Sequence, residues 1–171
     1  LEFRRVLFRS IGSGNKTSYL KASGFFDGTV IPDDATITGL QVNITKQAVT
    51  STGSIFWKLS DVYLTYDGSN TPAYQNQGTQ TAVTTADAIL EFGNNTSTWG
   101  TGTGGANGAT QSNIDNSNFA ILIKSQYACT SSSIDCNLVN TNTLSIDYVS
   151  ARAYYTLAPY EKFPTDGDSI A

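Results

Sequence analysis

The stretch TITGLQVNITK, residues 36–46, decides the fold. Leu40, Val42 and Ile44 fall on one face of an extended chain, and Gln41, Asn43 and Thr45 fall on the other. A period of two belongs to a half-buried strand, because successive side chains of extended backbone point to opposite sides. The β-branched Thr, Ile and Val suit that pleated surface. Gly39 inside the run predicts a bulge or bend.

The same reading extends outward in both directions. Tyr19–Phe26 is a first strand, and FWKLSDVYLTY (56–66) groups Val62, Leu64 and Tyr66. Ala88–Phe92 is short, and NFAILIKS (118–125) turns Phe119, Ile121 and Ile123 inward. Leu144–Thr156 is the longest run. Leu144, Ile146 and Tyr148 begin on one face, whereas Val149, Ala151 and Ala153 sit on the other. Such a strand is covered on both sides or changes phase at a bulge.

Turn chemistry separates these runs. Pro32-Asp33-Asp34 and Tyr66-Asp67-Gly68 combine a fixed proline φ with residues that tolerate turns. Residues 93–112 form a long Gly, Thr and Asn loop, a length usually tied to function or motion. A single helical turn fits near 111–116, with Ile114 pinning it to the core. Short strands and a polar surface imply an all-β fold, an antiparallel β-sandwich.

Composition narrows the chemistry. Ser, Thr and Asn together make up 54 of 171 residues, while charged residues are 14 % and His and Met are absent. Coiled coils and long-helix proteins need Ala, Glu, Lys and Leu in bulk and are excluded. No apolar run approaches the roughly 18 residues of a membrane-spanning helix, so membrane insertion by a helix is not expected. Without histidine there is no Ser-His-Asp triad and no His-ligated zinc.

Residues 1–10, LEFRRVLFRS, hold three of the four arginines in the chain. So abrupt a shift, and a string that reads as the conceptual translation of a sequencing adapter, set this segment apart as an adapter-derived scar. Residues 11–157 are then the sandwich module, and 158–171 a linker or the start of a following domain. Setting aside the three arginines and the one glutamate of 1–10 leaves seven basic and thirteen acidic residues, a net charge of −6. An acidic body with scattered lysines offers no footprint for nucleic acid.

Cys129 and Cys136 flank a polar stretch of six residues. A disulfide there would close a short loop worth about 2.5 kcal/mol by chain entropy; two thiols are the alternative. The disulfide favours an oxidising, extracellular or virion-surface setting.

Few residues suggest chemistry. Asp33 and Asp34 sit in a proline turn, and a glycosidase would need two carboxylates across one cleft. Calcium is the one cofactor the pattern allows, with Asp27, Asp33, Asp34 and Asp147 as candidate ligands at strand ends. Asp147 stands out because Ile146 and Tyr148 flank it. Sugar stacking would use Trp57, Trp99, Tyr63, Tyr66 or Tyr74, with Asn94 and Asn95 reading hydroxyls. Trp99 equally serves as a plug at one end of the sandwich. Lys21, Glu91 and Asn118 carry the residue types of an intramolecular isopeptide bond.

Five segments in order also resemble a known module: YLKASGFFDGTVIPDDATITGLQVNI (19–44), DVYLTYDG (61–68), STWG (97–100), SNIDNSNFAILIK (112–124) and LSIDYVSARAYYT (144–156). Together they look like the jelly-roll-like β-sandwich of phage virion proteins, tail and appendage parts among them, and of bacterial surface or secreted proteins, often of uncultured organisms. Ala120 in place of a glycine, the expanded loop around Trp99 and the Cys129–Cys136 loop depart from that pattern. The resemblance implies a non-catalytic structural or attachment module, partnered by other virion or surface subunits or by a cell-surface glycan. A phage-fibre setting implies a homotrimer. A carbohydrate-binding module and a glycoside hydrolase fragment are the alternatives.

Overall fold

The computed structural model describes residues 4–5, 19–26, 31–46, 55–68, 76–78, 86–100, 108–129 and 144–159. Among these residues seven strands and one helical turn follow in chain order: β1 (Arg4–Arg5), β2 (Leu20–Ser23), β3 (Thr36–Lys46), β4 (Ile55–Thr65), β5 (Ala88–Asn94), α1 (Gln111–Ile114), β6 (Ala120–Cys129) and β7 (Ile146–Thr156). One sheet orders them β1-β7-β3-β5 and the other β2-β6-β4. Every pairing is antiparallel. The chain is an all-β antiparallel sandwich.

The deciding stretch lies at the middle of this arrangement. β3 is bounded by β5 on one side and β7 on the other. Leu40, Val42 and Ile44 are fully buried against Val62, Leu64, Phe119, Ile121 and Ile123 of the facing sheet and its flank. Full burial of a Leu, Ile, Val or Phe side chain is worth roughly 1.5–3 kcal/mol, so this strip supplies much of the driving force.

The expected irregularities are present. The β3–β7 register shifts between Ile37 and Gly39, next to the glycine. A Cβ on Gly39 would collide with the backbone of Asn94 and Asn95, so the residue is small because a loop crosses it closely. A second shift places Tyr148 opposite Thr45 but Ile146 opposite Lys46, leaving Asp147 as the extra residue. That bulge is the phase change of the longest strand: Ile146 and Val149 are both buried although they stand three positions apart, an odd step that regular alternation would put on opposite faces.

Two details differ from the pattern. Tyr66 lies beyond the end of β4 and is 36 % exposed, because the strand stops at Thr65 and the turn follows. Arg4–Arg5, inside the segment set apart by composition, forms a short strand opposite Tyr148 and Val149. Isolated extended backbone added to a sheet edge asks little of its side chains. The helical turn falls where expected, with Ile114 fully buried and Asn113 Oδ1 accepting from the Thr110 hydroxyl at 2.7 Å.

Candidate functional site

Trp99 is a plug. It is 1 % exposed, and its indole N–H donates to Leu40 O at 2.9 Å. Its backbone has φ +59, a region bulky residues rarely enter. The segment before it is wound tightly. Asn94 Oδ1 accepts from the Thr96 N–H at 2.8 Å and from the Thr96 hydroxyl at 2.9 Å, and Leu40 N donates to Ser97 O at 2.9 Å. Gly93, at φ +72, gives the ring its space, since a Cβ there would strike Leu40 O and Trp99 Nε1. The chain returns at Ala109, whose N–H donates to Thr98 O at 2.8 Å. Asn94 is thus a turn former, and Asn95 is exposed beside it.

Trp57 is 2 % exposed and belongs to the same core. Neither indole face is open to a sugar. Tyr74, Asp27 and Cys136 lie outside the described residues, as does the Cys129 side chain. Asp33 and Asp34 are exposed in a turn closed by Ala35 N on Pro32 O at 3.0 Å. Asp147 sits half-buried at the β7 bulge, away from that turn along the strand. Among the described residues no three of His, Cys, Asp and Glu gather in one place. Lys21 Nζ donates to Gly68 O, and Asn118 borders the same glycine, whereas Glu91 is on β5 in the other sheet.

One aromatic surface group is built from Tyr19, just before β2, with residues of β4 and β6. Tyr19 and Tyr63 meet edge to face with centroids 6.3 Å apart, and Lys124 Nζ lies 5.0 Å from the Tyr19 ring. Burial, then the nearby Asp61 carboxylate, then Tyr63, push the Tyr19 phenol above its ordinary value of 10.0. Opposite, on the outer face of β3 and β7, the Tyr154 hydroxyl donates to Gln41 Oε1 at 2.9 Å.

The two long sides of the sandwich differ. On the β4 and β5 side, Asn76 clamps the bulge between Leu59 and Asp61. Its Oδ1 accepts from Val62 N at 2.9 Å and Gly78 N at 2.7 Å, and its Nδ2 donates to Ser60 O at 3.2 Å and Asp61 Oδ1 at 2.9 Å. Gln77 N adds a bond to Val62 O at 2.9 Å. A cleft of about 340 Å³ remains between Gln77 and Ile89–Gly93. On the β7 side, Phe25, Phe26, Ile31, Ala151, Arg152, Ala153 and Tyr155 line a slot of about 120 Å³.

The sequence pattern pointed to neither Asn76 nor the slot. Asn76 lies in a stretch without alternation, and its role depends on a bulge in β4 that no glycine or proline marks. The slot needs the run of small residues Ala151 and Ala153 to be seen beside Phe25 and Phe26, which are far away in sequence.

No family model, no curated protein and no solved structure matches this chain.

Proposed function

We propose that the chain is a non-catalytic structural and attachment module, jelly-roll in its connectivity, of a virion fibre or appendage or of an extracellular surface protein. One observation carries this reading. A jelly roll of eight strands places first beside last, last beside third and third beside sixth, with second, seventh, fourth and fifth in the facing sheet. What supports it is the order β7-β3-β5 and β2-β6-β4, which follows that scheme when the 76–78 segment, not itself a strand but bonded to β4 through Gln77 and Asn76, is counted in the fifth place; the first place, beside β7, is held here by Arg4–Arg5 of the segment set apart by composition. The interior between the sheets is filled by aliphatic and aromatic side chains, with both tryptophans among them. A scaffold of this kind presents its loops and edges to partners.

The genes flanking the coding sequence test the setting. A run of virion or surface-structural genes supports the reading, and a run of polysaccharide-degrading enzymes overturns it. Light scattering of the purified chain tests the homotrimer that a fibre implies, and a monomer would remove the self-sufficient trimer.

Glycan binding is the second reading. What favours it is the Tyr19, Tyr63, Lys124 and Asp61 group, which places aromatic rings beside charged and polar atoms. A glycan array read with the wild-type chain and with Tyr63→Ala decides it. Retention lost in the variant supports a sugar site at this face, and no retention by either removes it.

A further inference from the structure

We propose that the outer edge of β7 is a strand acceptor, which takes an extended peptide from another polypeptide in antiparallel register along Ser150–Thr156. This goes beyond the attachment reading and does not depend on it.

The argument begins with the edge itself. β7 is hydrogen-bonded to β3 along nearly its whole length, from Ile146 to Thr156. On its other side, among the described residues, β1 covers Tyr148 and Val149. Among the described residues nothing pairs with Ser150–Thr156 on that side. Unpaired backbone at a sheet edge is a ready template for another strand. Arg4–Arg5, a piece of the segment set apart from the module by composition, already sits on this edge and supplies the direction and register, with Arg4 opposite Val149 and Arg5 opposite Tyr148. An incoming strand continuing that line runs antiparallel to β7.

The side chains beneath the edge supply the selectivity. Beyond Val149 the inward residues of β7 shrink. Ile146 and Val149 fill their places, but Ala151 and Ala153 offer only methyl groups. Phe25, Phe26 and Ile31 form the opposite wall, and the slot of about 120 Å³ lies between. A strand added to β7 would project every second side chain into this slot, because alternate residues of extended backbone face one side. Small apolar residues such as Val fit there. The intervening residues face outward with exposed Arg152, where an acidic side chain is favoured. The occupant is therefore an extended peptide with alternating small apolar residues and a carboxylate on its other face.

The edges of β4 and β5 are less inviting. The edge of β4 is held by Asn76 and Gln77. The edge of β5 carries the exposed Glu91, a charge of the kind that discourages strand addition.

The test is an NMR titration of the full chain with the peptide Ac-TVEVTVT-NH2, followed by hydrogen exchange. The expected result is saturable binding, with shift changes and new protection at alternate amides within Ser150–Thr156. The same peptide N-methylated at every second residue should bind at least tenfold more weakly, because it lacks the donors a ladder needs. Ala153→Trp, which fills the slot, should weaken binding by a similar factor. If that variant does not fold, the N-methylated peptide decides alone. No binding, or changes centred on Ile89 and Glu91, overturns the proposal. So does full protection of these amides before peptide is added, which means the edge is already occupied within the chain. Concentration-dependent dimerisation that protects the same amides also overturns it, by making a second copy the occupant.

Discussion

The two long sides of the sandwich face the same problem and meet it differently. On the β4 and β5 side, a bulge leaves Ser60 O and Val62 N facing outward, and one asparagine answers both. Nearby, Trp99 closes the gap above Leu40 and Gly93. On the β7 side no such clamp is found among the described residues, and two alanines leave a slot. A sheet margin closed by side-chain hydrogen bonds is rigid and specific. One closed by small apolar residues keeps room for something else. Substitutions on the first side should therefore cost stability, and substitutions on the second should cost little.

The largest effect should come from Trp99→Ala. Removing a fully buried tryptophan deletes its packing and leaves a cavity, and it strips Leu40 O of its donor. A loss of about 3–5 kcal/mol is expected for a large aromatic, read by urea unfolding. Trp99→Phe keeps a six-membered ring but gives up the pyrrole half of the indole with its N–H, so about 1–3 kcal/mol should go, from one buried acceptor left unpaired and a smaller cavity. Equal losses in the two variants would mean that the hydrogen bond, not the packing, closes this side.

Asn76→Ala should come next, at about 2–3 kcal/mol, because two backbone groups of the β4 bulge lose their partner together. Hydrogen exchange gives the sharper readout. The Val62 and Gln77 amides should exchange faster while those of β3 keep their protection. Uniform loss across both sheets would show that Asn76 supports the whole fold rather than one margin.

What the sequence reveals follows from how far each feature reaches. The β3 strand could be read directly because Leu40, Val42 and Ile44 alternate over a few residues, a local signal. The bulge at Gly39 was legible because glycine in a strand has few other uses. The phase change in β7 could be anticipated from two apolar sets out of step, although not its position at Asp147. Trp99 was visible as a large residue in a glycine-rich loop, but plug and platform look alike until Leu40 O is seen beneath its ring. Asn76 and the slot were hidden, since each depends on elements that meet only after folding.

Lys46 sits between the two sides, at the end of β3. It is 1 % exposed, and its Nζ donates to Ala86 O. Burial pushes its ammonium below the ordinary value of 10.5, and the nearby Asp87 carboxylate pulls it partly back. The unfolded chain therefore holds this proton more tightly than the folded one. Between the lowered value and 10.5 the lysine's contribution to stability rises with pH. Tyr148 acts oppositely, since burial raises its phenol above 10.0 and the fold loses stability as pH climbs beyond that. Lys46→Met should change stability at neutral pH by less than about 1 kcal/mol, because a buried charge is often replaced by an apolar chain at little cost. The wild type should then gain on the variant as pH rises toward 10.5. A difference that stays flat with pH would mean that burial does not perturb this lysine.

The smallest expected effect gives the finest test of the comparison, because its sign matters more than its size. Ala153→Val adds two methyl groups on the inward face of β7, at the wall of the slot. If the slot is open, the larger side chain enters it and gains apolar burial and strand propensity, and stability rises by about 0.5 kcal/mol or stays level. Adding a single carbon on the opposite side has no such freedom. A Cβ on Gly78 would meet the backbone of Ser60 and Asp61, which cannot step aside without breaking the Asn76 clamp. Gly78→Ala should therefore destabilise by more than about 2 kcal/mol, in the range of overpacked sites. Thermal unfolding of the two variants side by side measures the contrast. A destabilising Ala153→Val would mean that the β7 margin is as closely packed as the one held by Asn76, and that an added strand would find no room for its side chains.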